Sequence, residues 1–133
     1  MTFVHIGCFD HFRPGKTLLL AGDSSGMLLL AESFDRIASD NMSTTALHLM
    51  PFVKVHRGLK LQMSCVLHDI GLSLTGDVFC WQRNQNGWKD AANRTRQVSA
   101  VSSGHHYLDA EHDDIMVMVS SGEYPEAWWD SNA

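Results

Sequence analysis

The densest group of side chains able to bind a metal or move a proton lies at residues 105–114. His105, His106, Asp109, Glu111, His112, Asp113 and Asp114 all fall there. Imidazole and carboxylate groups suit zinc, nickel or iron. A metal centre needs three or four such donors converging on one point. The pattern here is instead that of a strand, an acidic turn and a second strand, and adjacent strand residues such as His105 and His106 project to opposite faces. Neither His-Glu-x-x-His nor paired Cys-x-x-Cys is present in the chain. The stretch therefore reads as a solvated acidic loop beside histidine-bearing strands, and no metal or other cofactor is expected.

Nucleophile chemistry has equally little to build on. The sequence holds no Gly-x-Ser-x-Gly elbow. Of its three cysteines, Cys65 and Cys80 sit in strand-like apolar patterns that predict burial. Cys8 precedes a loop with Asp10 and His11 and is the thiol whose reactivity merits a test. The segment Gly22-Asp23-Ser24-Ser25-Gly26 lies between a strand and a helix, where phosphate loops occur. It lacks the Lys-Ser/Thr ending of a P-loop and the three-glycine dinucleotide pattern, and Asp23 would repel a phosphate. It reads as a helix-capping turn. No catalytic residue is assigned.

The elements that would position these groups form two similar runs. Leu18, Leu20, Gly26, Met27, Leu30, Ala31, Phe34 and Ile37 recur 61 residues later as Phe79, Trp81, Gly87, Trp88, Ala91, Ala92, Thr95 and Val98. In each run a short apolar strand is followed by a helix whose apolar stripe repeats at 3–4 residue steps. Asp23, Ser24 and Ser25 offer N-cap oxygens to the first helix, and Asp40-Asn41 marks its stop. Strands are expected at 47–50 and 59–65, the latter alternating Leu59, Leu61, Met63 and Cys65 with Lys60, Gln62 and Ser64. Their counterparts are 107–108 and 115–119, with a further strand at 3–6 and a connecting strand within 66–74. The expected fold class is α+β: duplicated βαββ units, 17–66 and 79–119, joined in one mostly antiparallel sheet with two helices packed on one face. A length of 133 residues predicts one domain, 1–133, with a C-terminal extension over 120–133.

Charge divides the chain. Up to Arg96 there are ten basic and eight acidic residues; beyond it come Asp109, Glu111, Asp113, Asp114, Glu123, Glu126 and Asp130 with no base, giving the net −5. A −7 C-terminal third repels phosphates, which argues against nucleic acid as a partner, and suits a basic protein surface. No apolar run is long enough to cross a membrane. The N-terminus lacks an export signal, so a cytoplasmic location is expected. The tail adds Tyr124, Trp128 and Trp129, residue types favoured as interface anchors.

In size, acidity and general layout the chain resembles the immunity proteins of bacterial toxin systems. That resemblance implies a binding protein that neutralises a partner toxin by covering a basic surface. The expected contact residues are Asp109, Glu111, Asp113, Asp114, Tyr124, Trp128 and Trp129. The alternatives are a small enzyme, a hydrolase for example, with a His/Asp/Glu cleft at the junction of the two units, or a ligand-sensing domain.

Overall fold

The computed structural model describes residues 3–10, 16–39, 44–109 and 115–132. In chain order the elements are β1 (Val4–Phe9), β2 (Lys16–Gly22), α1 (Ser24–Ser39), β3 (Thr44–Ala46), a 3-10 turn (Leu47–Leu49), β4 (Val53–Val55), β5 (Lys60–Cys65), β6 (Gly71–Thr75), β7 (Val78–Arg83), α2 (Gln85–Ser99), β8 (Gly104–Asp109), β9 (Ile115–Ser121) and α3 (Glu126–Asn132). The fold is α+β. The expected strand at 47–50 is instead the 3-10 turn, with Leu47 buried and Leu49 exposed. An apolar pair split by a histidine has no period that distinguishes the two forms.

The single antiparallel sheet expected from the sequence is replaced by two mixed sheets. One has the order β4-β1-β2-β9-β8 and the other β3-β5-β7-β6. Within the first, β2 runs antiparallel to β1 and parallel to β9, with Leu18 opposite Val117 and Leu20 opposite Val119. Within the second, β7 runs antiparallel to β6 and parallel to β5, with Phe79 opposite Leu61 and Trp81 opposite Met63. Each long helix is thus preceded by an antiparallel hairpin, β1-β2 or β6-β7. The strand before each helix takes its parallel neighbour from the other half of the chain.

The helices begin at Ser24 and Gln85, the offset of 61 seen in the sequence. Their caps keep the same offset. Asp23 Oδ1 accepts from Gly26 N at 2.7 Å, and Asn84 Oδ1 accepts from Gly87 N at 2.8 Å. Each satisfies a backbone donor that the first helical turn leaves open. Gly26 is required at its position because a Cβ there would run into the Phe3 carbonyl. The buried stripes match too: Met27, Leu30, Ala31, Phe34 and Ile37 on α1; Trp88, Ala91, Ala92, Thr95 and Val98 on α2.

These stripes and one face of each sheet form a continuous core. Val4, Ile6, Leu18, Leu20, Val117 and Val119 come from the first sheet, and Leu61, Met63, Cys65, Phe79 and Trp81 from the second. At its centre Phe34 lies 5.5 Å from both Trp81 and Trp88, edge-on to the first and stacked on the second. Trp88 Nε1 donates to the Ser64 carbonyl at 2.9 Å, so this indole is buried without an orphaned donor. Arg96 and Asp35 pair across the two helices.

The opposite face of the first sheet has its own smaller core. Leu19, Ala21 and Met118 there meet Trp129 of α3, with Phe9, Tyr124 and Trp128 around them. The tail thus folds back as a lid on that sheet. No helix is long and apolar enough to cross a membrane among the described residues.

Candidate functional site

Strand alternation sends Val4 and Ile6 of β1 into the main core and His5 to the face beneath α3. Beside β1, β4 runs parallel with Ile6 opposite Val55, and His56 N donates to the Ile6 carbonyl at 3.0 Å. His56 is thereby held at the end of β4, next to His5. Helix α3 covers both rings. Its first residue, Glu126, and Trp129 are three positions apart and share a helix face.

The result is a line of three hydrogen-bonding side chains. His5 Nε2 lies 2.9 Å from Glu126 Oε1, and His5 Nδ1 lies 2.9 Å from His56 Nε2. An ionised carboxylate only accepts, so His5 donates through Nε2. With neutral rings, His5 Nδ1 must then accept, His56 must donate through Nε2, and His56 Nδ1 keeps a lone pair. Trp129 stacks on both rings, with centroids 4.9 Å from His5 and 4.5 Å from His56. His5 is 2% exposed. Lys54 Nζ stands 3.9 Å from the same Glu126 oxygen.

The electrostatics follow from this packing. Burial, then the neighbouring His5, pushes the His56 pKa below the usual histidine value, while Glu126 and Asp130 act in the opposite sense. The hydrogen bond from His5 holds the Glu126 carboxyl below the usual range. A neutral imidazole with a free lone pair, fixed from behind by a second imidazole and a carboxylate, can accept a proton or a hydrogen bond. Among the described residues, no thiol or hydroxyl is hydrogen-bonded to His56. Cys8 lies on the other face of β1, and burial raises its pKa despite the nearby Lys16, so the thiol stays protonated at neutral pH.

His56 and Cys8 both border an open cavity of about 280 Å³ lined by residues of both sheets, among them Phe79 of β7. Nothing in the sequence brings these residues together. His5 and His56 are 51 positions apart, and His5 and Glu126 are 121 apart. The local signals were a histidine between Val4 and Ile6 in a strand, hence on the opposite face, and a glutamate three residues ahead of a tryptophan.

The residues singled out from the sequence are placed differently. Glu111, Asp113 and Asp114 lie outside the described residues, as does His112; the Asp109 backbone is in β8. His105 and His106 diverge. His105 Nδ1 meets Glu123 Oε1 at 3.0 Å, and His106 Nε2 meets Gln97 Oε1 of α2 at 3.0 Å. Among the described residues, no three His, Cys, Asp or Glu side chains are grouped to hold a metal ion. Trp129 is fully buried, whereas Tyr124 and Trp128 are half-buried and stack edge-on at 4.8 Å. The tryptophan pair therefore divides its duties: one plugs the core and the other retains exposed surface.

Compared with protein-family models, curated proteins and solved structures, the chain matches none.

Proposed function

We propose that this chain is a cytoplasmic binding protein whose acidic C-terminal third meets a basic protein partner, in the manner of toxin-immunity proteins. The observation that carries the reading is how the acids are neutralised. Before Arg96, Glu32, Asp35, Asp69, Asp77 and Asp90 each pair with a lysine or arginine. Beyond it, Glu123 pairs with His105, and Glu126 pairs with His5 and, at 3.9 Å, with Lys54. Among the described residues, then, histidines are the main partners of the acids beyond Arg96, where the sequence places seven acidic residues and no lysine or arginine. Tyr107 is 44% exposed on β8. With half-buried Tyr124 and Trp128 it adds an aromatic rim beside these acids, as protein interfaces use.

The test is association with the product of the adjacent gene, followed at low and high salt. Long-range attraction accelerates encounter and fades as the Debye length falls from about 10 Å at 0.1 M to about 3 Å at 1 M. Reversing Asp109, Glu111, Asp113 and Asp114 to Lys should slow association, and Trp128→Ala should speed dissociation. Binding that is indifferent to all five changes places the interface elsewhere. No binding at all removes the immunity reading.

We also infer that the two halves descend from one duplicated βαββ unit. Support comes from the shared offset of caps, glycines and buried stripes, and from the equivalent pairings of β1-β2 with β6-β7 and of β2-β9 with β7-β5.

A further inference from the structure

The turn between β4 and β5 carries an unexpected residue. His56, Arg57, Gly58 and Leu59 form a tight reversal in which Leu59 N donates to the His56 carbonyl at 3.4 Å. Its two central residues have φ of +59° at Arg57 and +65° at Gly58. Successive left-handed residues are the pattern of a type I′ turn, for which Asn-Gly is the favoured pair. Arg57 is the one non-glycine residue with a positive φ among the described residues. A turn selected for its conformation alone would carry asparagine there, since a long side chain in this region is strained. What the chain gains instead is an exposed cationic side chain at this turn.

The turn lies at the mouth of the cavity lined by both sheets. Arg57 borders both the 280 Å³ cavity and an adjoining recess of about 510 Å³; Cys8, Phe9 and Phe79 are common to the two. Phe9, which also packs against Trp128 and Trp129, and Phe79 give the inner part apolar surface beside His56, Arg57 and Asp77. The outer recess adds Lys16, Asp10 and Asn132. Neither Arg57 nor Lys16 has an ion-pair partner among the described residues. Asp77, which also borders the inner cavity, is held by Lys60 at 3.6 Å. Among the described residues, Arg57, Lys16 and Asp10 thus line one recess without an ion-pair partner. His56 completes the wall, its Nε2 committed to His5 and its Nδ1 left as an acceptor.

We propose that this junction is a binding site for a small organic anion with a ring-sized apolar body and a hydroxyl donor. Arg57 and Lys16 hold the charge, Phe9 and Phe79 contact the ring, and His56 Nδ1 receives the hydroxyl. The inner volume of about 280 Å³ suits a single ring, lying just below the range of ordinary ligand cavities. An arginine is the side chain best shaped for a carboxylate, and its hydrogen bonds to a charged group are the strong kind. The site is independent of the acidic face that meets a protein partner.

The test uses 4-hydroxybenzoate as the probe, followed by calorimetry and by amide shifts of Gly7 and Gly58 on the full chain. Saturable binding is expected with a dissociation constant on the order of 1 mM or tighter. The neutral analogue 4-hydroxybenzamide should bind at least ~10-fold more weakly, and inorganic phosphate, lacking the ring, should not compete at equal concentration. Arg57→Asn is the decisive variant. Asparagine suits the turn, so the melting temperature should hold or rise, while binding should weaken at least ~10-fold. Lys16→Gln should weaken binding without disturbing the turn, and Lys89→Gln on the outer face of α2 should leave it unchanged. Absence of saturable binding, equal affinity for the amide, or an Arg57→Asn protein that binds like the parent would each overturn the proposal.

Discussion

Replacing Trp129 with alanine tests the most consequential packing feature of the tail. The indole is fully buried on the outer face of the first sheet, against Leu19, Ala21 and Met118, and stacks on His5 and His56. A tryptophan buries roughly 150–250 Å² of side chain, worth about 4–6 kcal/mol at ~25 cal/mol/Å². Part of that is offset. Trp129 Nε1 is buried without a hydrogen-bond partner among the described residues, a cost of about 1–3 kcal/mol that the alanine variant escapes. A net loss of about 3 kcal/mol remains. Unfolding entropy near 60 °C is about 2.1 cal/mol/K per residue, so a chain of 133 residues should lose about 10 °C in melting temperature. Helix α3 has only seven residues and cannot persist undocked. The variant should therefore also become sensitive to chymotrypsin at Trp128, while Trp129→Phe, which keeps a stacking ring, should lie between. A loss below about 3 °C with unchanged protease resistance would show that α3 does not hold the sheet.

Two further outcomes are expected. Phe34→Ala should cost about 3–5 kcal/mol, because the ring is fully buried between Trp81 and Trp88; Leu28→Ala, at a site 48% exposed, should cost far less in the same thermal melts. His56 should titrate below an ordinary histidine in ring-proton NMR, and Asp130→Asn should lower the midpoint further by removing a charge that favours protonation. Since folding depresses this pKa, the contribution of the neutral ring is complete above the unfolded value of about 6.5 and is lost as pH falls from there through the folded midpoint; a midpoint at or above 6.5 contradicts the site geometry.

The helices were legible because their information is local. Met27, Leu30, Phe34 and Ile37 repeat at helical period, and Asp23 and Asn84 cap where their side chains predict. The alternation of Leu61, Met63 and Cys65 likewise identifies β5 and its inward face. Strand partners carry no such mark. The run Leu18-Leu19-Leu20 signals a strand covered on both faces, but not that β9 lies beside it or that Trp129 is the cover. The histidine pair was hidden for the same reason: a single imidazole in a strand has no period, and its meaning comes from β4 and α3, both short and weakly patterned. Residues 105–114 drew attention by composition alone, which records charge density but not convergence.

The interleaving of the two sheets has a consequence for how the chain is made. Strand β2 waits for β9, its parallel neighbour, until residues 115–121 have been synthesised, more than ninety positions later. At about 5–20 residues per second that is an interval of roughly 5–20 s. Through it, the backbone edge of Leu18-Leu19-Leu20 stands open, with neither β9 beside it nor Trp129 above it. Such an edge is a template for pairing with another chain. The nascent protein is therefore most vulnerable to self-association before β9 and α3 emerge, and a ribosome stalled between α2 and β9 would present an aggregation-prone species that the finished fold never exposes.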